Sequence, residues 1–331
     1  MKKFFLITAC FLFFFLSCEE KRKYEIRSIE AIQVLTELSD SSFLKTVEHI
    51  NYHENFIYVS DSYNGRVLKL DKDLNLVLSI GQNGEGPEDF LGVRCSAVYD
   101  DTLYVASPGN LKMVRFTTNG EFIDTYKLQN YNMIFNYFCI NKGGLYFNSA
   151  LDSLPFVKFD RFMNRQFAFG DWIVPVNEER KVASNNFHVL SFQGKVLTVQ
   201  VEEPLINLYE EDGALLLSKY IDAEVFKSRL NFKKNQLENP SAQKAIYMLF
   251  YSVTSYENKL YLLYVDHNKD NNIPQCDKVV ELLYENNDFK INNIYQLQSE
   301  SGWYSSICCV GNKLICFDEM KSEFQVYNLN D

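Results

Sequence analysis

The segment Glu54-Asn55-Phe56-Ile57-Tyr58 is the first of six that share one pattern: two turn residues, one spacer residue and a pair of apolar residues. The other five turns and their apolar pairs are Asp100-Asp101 with Leu103-Tyr104, Lys142-Gly143 with Leu145-Tyr146, Gln193-Gly194 with Val196-Leu197, Glu257-Asn258 with Leu260-Tyr261, and Gly311-Asn312 with Leu314-Ile315. The first apolar residues lie 46, 42, 51, 64 and 54 positions apart. Four-stranded propeller blades repeat at this interval, whereas helical solenoid units are shorter. The chain is therefore predicted to be an all-β, six-bladed β-propeller.

The first two repeats show best which strands follow each turn. Residues 56–61, 66–70 and 76–80 have strand-like composition in the first repeat, and polar turn residues separate the last two segments. The second repeat has the same order, with Asn119-Gly120 in the last turn. Asn-Gly between apolar segments is a strong hairpin signal. Repeats three and five match this pattern more loosely.

The last repeat ends with residues 324–329 and is one strand short. Residues 29–36 precede the first repeat and are predicted to supply the missing strand, which would join the two chain ends and leave no open seam. The propeller is thus predicted to span residues 29–331. Residues 222–249 form the longest insertion, and their mixture of apolar and charged residues suggests one or two helices over a face of the disc.

The N-terminus has the composition of a secretory signal. Two lysines follow Met1, and residues 4–16 form an apolar run that contains one threonine. This run is too short to cross a hydrocarbon layer of about 30 Å as a helix. Residues 1–17 are therefore predicted to be a signal peptide, and residues 18–28 a lipid anchor and tether.

Cys18 makes the prediction more specific. Phe15-Leu16-Ser17-Cys18 resembles a bacterial lipobox, which implies cleavage before the cysteine and attachment of a diacylglycerol to its thiol. A plain secretory peptide with an incidental cysteine is the alternative. The acidic pair Glu19-Glu20 resembles the surface-export signals of some Gram-negative lipoproteins. The resemblance implies an outer-membrane lipoprotein that faces the periplasm or the cell surface, with the membrane as a partner through the lipid.

Residues 81–90, Gly-Gln-Asn-Gly-Glu-Gly-Pro-Glu-Asp-Phe, form a connector after the first repeat. Together with the lipobox and the six repeats, this segment resembles the NHL-related six-bladed propeller lipoproteins of Gram-negative bacteria. The resemblance implies a fold and a location, and it carries over no catalytic residue. We expect Phe90 to fill the groove between two blades. A phosphate cradle does not fit, because no Lys-Ser/Thr pair follows the glycines.

Charge argues against a nucleic-acid partner. The chain has 33 basic and 43 acidic side chains, and loss of residues 1–17 would remove two lysines and bring the net charge to −12. Binding to phosphates needs a basic patch. The densest basic stretch, residues 227–234, has only four basic residues and is interpreted as a solvated helix face.

Cysteines in this compartment could form disulfides, but strand geometry disfavours the obvious pairs. Cys308 and Cys309 are adjacent in a strand and point to opposite faces. With Gly311-Asn312 as a two-residue turn, Cys316 lies opposite Ile307 and only diagonally from Cys309. Buried free thiols are therefore expected. No Cys/His cluster has the spacing of a zinc site.

One string resembles a calcium loop. Residues 266–277 place oxygen-bearing side chains at relative positions 1, 3, 5 and 12, namely at Asp266, Asn268, Asp270 and Asp277. Hard oxygen ligands at such positions suit calcium, the one cofactor that the sequence suggests. Asn271 replaces the usual glycine and Asp277 the usual glutamate, and a solvated hairpin rich in turn formers is the favoured interpretation.

Other candidates for chemistry are sparse. His49 and His53 lie four apart on one strand, about 13 Å from each other, which is too far for one metal ion. His188 is interpreted as a core or channel residue. The aromatic residues Trp172, Trp303 and Tyr304 could stack on a sugar, although packing between blades is the more common role of such residues. No catalytic motif is present.

These observations predict a lipid-anchored envelope propeller that acts as a ligand-binding or protein-interaction module. Its partner would be a glycan, a peptide or an envelope protein. The alternative is a metal-dependent hydrolase or lyase with its site at the mouth of the propeller channel, because carboxylates can meet there in three dimensions. A cluster of carboxylates and histidines at the mouth would favour the enzyme, and an open aromatic groove would favour ligand binding.

Overall fold

The computed structural model describes residues 24–128, 137–149, 152–175, 178–267 and 273–330. These residues form six antiparallel four-stranded sheets, one of which gains a fifth strand. Blade 1 contains β3 (Val47–His53), β4 (Phe56–Asp61), β5 (Arg66–Leu70) and β6 (Leu76–Ile80). Blade 2 contains β7 (Cys95–Tyr99), β8 (Thr102–Ser107), β9 (Lys112–Thr117) and β10 (Phe122–Lys127). Blade 3 contains β11 (Phe138–Asn141), β12 (Gly144–Asn148), β13 (Phe156–Phe159) and β14 (Arg165–Phe169).

The second half of the chain repeats this order. Blade 4 contains β15 (Phe187–Phe192), β16 (Lys195–Gln200), β17 (Leu205–Tyr209) and β18 (Leu215–Tyr220). Blade 5 contains β19 (Phe250–Tyr256), β20 (Lys259–His267), β21 (Pro274–Glu285) and β22 (Asp288–Leu297). Blade 6 contains β23 (Tyr304–Val310), β24 (Lys313–Asp318) and β25 (Glu323–Asn328). The six-bladed all-β prediction is confirmed.

The first strands of the six blades, β3, β7, β11, β15, β19 and β23, form the inner ring. Each contacts the next around the axis, and β23 contacts β3, which closes the circle. These six inner strands therefore surround the central channel.

The two N-terminal strands join different blades. Strand β2 (Ala31–Leu35) pairs antiparallel with β25 and completes blade 6, as the sequence predicts. Strand β1 (Ile26–Ile29) pairs parallel with β22 and adds a fifth strand to blade 5. The interpretation of residues up to 28 as a tether is therefore wrong from Ile26 onward. The two N-terminal strands hold blades 5 and 6 together.

All six turns of the repeat connect an inner strand to the second strand of its blade. Glu54 and Asn55 both have positive φ, at 45° and 75°, and so do Gln193 and Gly194. Two-residue hairpin turns of this handedness match the twist of the flanking strands, and Asn and Gly tolerate that conformation best. The residue types of these two turns thus fit their backbone conformation.

The core consists of apolar clusters, several of which join neighbouring blades, such as the cluster of Leu68 and Val59 of blade 1 with Ile315 and Phe317 of blade 6. Phe90 is fully buried in the cluster that joins blades 1 and 2, as expected from the connector sequence. The six cysteines within the described residues are buried and free, and Cys316 lies opposite Ile307, as predicted.

In the part of the chain that the structure describes, helical structure is short and lies in two segments. Residues Glu178–Arg180 form a 3-10 turn that leads into α1 (Lys181–Ser184). In the insertion, 3-10 turns at Ala223–Phe226 and Pro240–Ala242 flank α2 (Lys227–Leu237). Helix α2 contacts β20 of blade 5. No helix in the described ranges is long and apolar enough to cross a membrane.

Candidate functional site at the channel mouth

The inner strands all begin on the same face of the disc, where the second strand of each blade ends. In blade 1, for example, Val47 at the start of β3 pairs with Asp61 at the end of β4. We call this face of the channel the mouth. Side chains from all six blades meet there, at or next to the first residues of the inner strands.

Three inner strands have a β-bulge close to their first residue, at the mouth. The pairing register shifts between Val47 and His49 in β3, between Phe250 and Ser252 in β19, and between Tyr304 and Ser306 in β23. The skipped residues are Glu48, Tyr251 and Ser305. Such bulges redirect a side chain and are common next to binding sites. The local irregularity therefore presents these three residues to the mouth.

An ion pair joins blades 1 and 2 at the mouth. Arg94 precedes β7, and its Nη1 donates to Glu48 Oε2 at 2.6 Å. The guanidinium lies 5.4 Å from the ring centre of Tyr137, which precedes β11. The Tyr137 hydroxyl donates to the carbonyl of Glu48 at 3.4 Å. Three blades thus share one charged and aromatic cluster.

Two histidines flank the same tyrosine. The ring centres of His49 and His188 lie 5.5 and 4.9 Å from that of Tyr137. Burial lowers the pKa of both imidazoles to about 4, with mutual repulsion as a further cause for His49. Burial also raises the pKa of Tyr137 to about 12. All three rings are therefore neutral at pH 7. His188 therefore lies at the channel mouth, which agrees with its interpretation as a core or channel residue.

The opposite side of the mouth is acidic and aromatic. Glu319 follows β24, and burial raises the pKa of its carboxyl, with repulsion by Glu48 as the second cause. The rings of Tyr251 and Trp303 meet edge to face at 5.5 Å. The Glu319 carboxylate also raises the pKa of Tyr251, after the larger effect of burial. Glu319 therefore lies near another carboxylate and a tyrosine.

Several polar groups at the mouth lack a partner within the described residues. Arg94 Nε and His49 Nδ1 are shielded from solvent and make no hydrogen bond there. Glu319 forms no ion pair with a described residue, and Arg94 at the mouth is paired with Glu48. Buried polar atoms usually have partners, so atoms without them mark sites where a ligand or water can bind.

Metal binding has less support from the geometry. Across the described ranges, no three His, Cys, Asp or Glu side chains lie close enough to hold one metal ion. Of the calcium-loop candidates, Asn268 and Asp270 lie outside the described residues, as does the lipid-attachment candidate Cys18. Asp266 is paired with Lys278. Asp277 is 5% exposed, burial raises its pKa, and its Oδ1 has no hydrogen-bond partner among the described residues. The calcium site stays a prediction.

The aromatic candidates separate in the structure. Trp303 lies at the mouth, whereas Trp172 donates from Nε1 to the carbonyl of Ser153 in blade 3. Tyr304 is fully buried, and its hydroxyl contacts Gln325 and Tyr327. Tyr304 therefore packs inside blade 6, and only Trp303 remains a candidate for contact with a ligand at the mouth.

Most mouth residues were missed from the sequence. Glu48, Arg94, Tyr251 and Ser305 each lie nine positions before the first apolar residue of their repeat, at 57, 103, 260 and 314. Their equivalent positions are a usable signal once the repeats are aligned. Their residue types differ from blade to blade, so no motif marks them.

Comparisons with known proteins agree with this architecture. The model of a family described as 6-bladed beta-propeller, DUF5128, matches residues 16–317. Among solved structures, a protein of Bacteroides fragilis described as exported superposes with a TM-score of 0.60 at 14% identity, covering 92% of this chain and 99% of its own. Virginiamycin B lyase of Staphylococcus aureus gives a TM-score of 0.53 at 11% identity, covering 90% and 98%. At such identities the likeness shows the fold alone. The curated proteins include no significant match.

Proposed function

The chain belongs to the DUF5128 family of 6-bladed β-propellers, and we propose that it is an exported, lipid-anchored protein that binds a ligand at the channel mouth. Export and anchoring are supported by the apolar run at residues 4–16 and by the lipobox that ends at Cys18. The B. fragilis protein of similar fold, which is described as exported, is consistent with this location. The anchor would place the propeller in the outer membrane, facing the periplasm or the cell surface.

The binding proposal rests on the unsatisfied polar groups at the mouth. Arg94 Nε is a buried donor without an acceptor among the described residues, and Glu319 is a partly buried carboxylate without a cation there. Leaving such groups unpaired costs free energy, on the order of 1–3 kcal/mol for a buried donor. A ligand that satisfies them recovers that cost on binding.

The chemistry of these groups selects among the glycan, peptide and protein ligands expected from the sequence. Arg94 offers a hydrogen bond to a carbonyl or carboxylate oxygen. Glu319 offers an ion pair to an ammonium group, and the rings of Tyr251 and Trp303 offer aromatic faces on which a cation is attracted. A peptide with a basic side chain supplies both a carbonyl acceptor and a cation. We therefore assign the mouth to a peptide that carries a basic group.

The enzyme remains a second candidate, and the two histidines favour it. His49 and His188 lie on one tyrosine at the mouth, and a neutral imidazole with a free nitrogen can act as a general base. The lyases among the structural neighbours share the fold alone, so they add no residue to this argument. Turnover of a bound ligand would distinguish an enzyme from a binding module.

Isothermal titration calorimetry tests the ligand assignment with two matched probes. N-acetyl-glycyl-lysyl-glycinamide carries an ammonium group, and its norleucyl analogue has a similar shape without the charge. We expect the lysyl peptide to bind at least about tenfold more tightly, a difference of about 1.4 kcal/mol. Glu319→Gln should remove this preference. Glu300→Gln is the matched control. Glu300 is an exposed carboxylate in the loop before β23, and it pairs with Lys321.

Equal affinity for the two peptides, or no binding of either at millimolar concentration, would contradict the assignment. Product formation detected by mass spectrometry would move the function to the enzyme. Anchoring is tested separately by mass spectrometry of the mature N-terminus. We expect an acylated Cys18 in the wild type and no acyl chain in Cys18→Ala.

A further inference from the structure

We propose a second binding site, for a neutral saccharide, in a cleft at the outer part of blade 1. The cleft has a volume of about 430 Å³ and is lined by residues that include Ser41, Phe43, Asn64, Arg66, Ser79 and Gln82. This volume lies within the range of about 300–1,000 Å³ that small-ligand sites show. Neither the mouth cluster nor the calcium-loop candidates contribute to its lining, so the site is independent of the proposed function.

The floor of the cleft is rigid and carries compensated charge. Asp61 is fully buried and accepts from Arg66 Nε and from Asn64 Nδ2, each at 2.8 Å. Arg66 Nη2 also donates to Ser42 Oγ at 3.1 Å. Because the carboxylate neutralises the guanidinium, the cleft has no excess charge for a phosphate or an ammonium group. A neutral polar ligand therefore fits it best.

The hydrogen-bonding groups of the cleft match hydroxyl groups. Asn64 and Gln82 use their amide nitrogens on Asp61 and Asp89, which leaves each carbonyl oxygen as an acceptor. The hydroxyls of Ser41 and Ser79 both donate and accept. A sugar hydroxyl likewise donates one hydrogen bond and accepts others. Alternating donors and acceptors around a cleft therefore favour a polyhydroxylated ligand over an apolar one.

Phe43 provides an aromatic platform at the rim. Phe43 is 60% exposed and follows a turn in which Ser42 N donates to Asp40 Oδ1 at 2.9 Å. The flanking Leu38 and Leu44 are buried and fix the loop to the core. Exposure of a large ring on a fixed loop costs hydrophobic free energy that a ligand can recover. The apolar C–H face of a pyranose ring covers such a surface.

The connector of residues 81–90 fixes the remaining wall. Gln82 is its second residue, and the amide of Gln82 is held by Asp89 Oδ1 at 3.0 Å. Phe90 N donates to the carbonyl of Gln82 at 2.8 Å, and the buried Phe90 ring fills the space between blades 1 and 2. This connector, which is part of the resemblance to the propeller lipoproteins, therefore positions the Gln82 side chain at the cleft.

Saturation-transfer difference NMR on the full-length protein tests this site with named probes. The probes are maltotriose, cellotriose, xylotriose and N,N′,N″-triacetylchitotriose, with inorganic phosphate as the charged comparison in a parallel ³¹P line-width titration. We expect at least one trisaccharide to receive saturation, with a dissociation constant in the millimolar range or below, and phosphate to remain unbound. Phe43→Ala and Gln82→Ala should each weaken binding at least about fivefold.

Two control variants keep the result interpretable. Phe162→Ala removes an aromatic ring in blade 3 that is 65% exposed, and Glu319→Gln alters the mouth. Both should bind the trisaccharide as the wild type does, so the saccharide result and the peptide result can fail separately. The site is refuted if no trisaccharide receives saturation in the folded protein, or if Phe43→Ala binds as well as the wild type.

Discussion

Two corresponding turns on the mouth face each carry a glutamate, and the two carboxylates differ in whether they have partners among the described residues. Glu202 follows β16 in blade 4, and Glu319 follows β24 in blade 6. The Glu202 side chain is fully buried and pairs with Arg180 and with Lys233 Nζ at 3.2 Å. It also accepts from the backbone nitrogen of Tyr247 at 2.6 Å. Glu319 is only partly buried, near Glu48, and has no cation among the described residues.

The difference shows how the same turn of two blades can serve structure or binding. Glu202 connects blade 4 to α2 through Lys233 and to the end of the insertion through Tyr247, so its partners belong to the fold. Glu319 has no such partners among the described residues, which is why we propose it as a ligand contact. The presence of hydrogen-bond and ion-pair partners, rather than burial alone, distinguishes a structural carboxylate from one proposed to bind a ligand.

The largest effect expected from a single substitution comes from removal of the Glu202 carboxylate, whose partners all belong to the fold. Glu202→Ala removes the buried carboxylate that pairs with Arg180 and Lys233, and a broken buried ion pair typically costs about 3–5 kcal/mol. We expect the free energy of unfolding in urea to fall by that amount. Glu203→Ala removes a more exposed partner of Lys233 and should cost under about 1 kcal/mol. Equal losses in the two variants would contradict the comparison.

Acid should destabilise the mouth through its histidines. The folded-state pKa of His49 and His188 is lowered to about 4, so the unfolded chain binds more protons between pH 6.5 and 4. Stability therefore falls as the pH drops through this window, by roughly 3 kcal/mol for each imidazole. Urea unfolding at pH 7.5 and 4.5 measures this loss.

The double variant His49→Asn, His188→Asn is the matched test of the acid effect. Asparagine does not titrate, so this variant should lose much less stability than the wild type between the two pH values. An unchanged pH dependence in the double variant would show that other groups cause the acid effect.

A smaller effect on stability is expected where the ion pair is accessible to water. Arg94→Met removes the partner of Glu48, whose side chain is 28% exposed and can be hydrated instead. The free energy of unfolding should fall by about 1 kcal/mol or less. Binding of the lysyl probe should weaken at least about fivefold, because the variant lacks the donor at Nε. A loss comparable to that of Glu202→Ala would make Arg94 a structural residue.

The sequence predicted the blades because their determinants are local. The turns at Glu54-Asn55 and Gln193-Gly194 need residues that tolerate positive φ, and the apolar pairs that follow need burial. The closing strand β2 was predictable because blade 6 lacked one strand. Strand β1 was not, since its parallel pairing with β22 joins residues about 270 positions apart and nothing in Ile26–Ile29 marks the partner.

The mouth was harder to predict for a physical reason. The side chains come from different blades, and the site exists only when the ring closes and brings Glu48 of blade 1 near Glu319 of blade 6. A sequence shows neither that proximity nor the register shift that redirects Tyr251. In four blades a mouth residue lies nine positions before the apolar pair, but its residue type differs from blade to blade.

The most direct test of the account measures Glu319→Gln by thermal unfolding, with and without the lysyl peptide. The pKa of Glu319 is raised in the folded state, so its ionised form lowers stability above that pKa, and this penalty is present at pH 7. Glutamine should therefore raise Tm of the free protein slightly, by up to about 2 °C, and abolish the Tm increase that the peptide gives the wild type. A lower Tm in the free variant, or an undiminished peptide shift, would contradict the assignment of Glu319 to ligand binding.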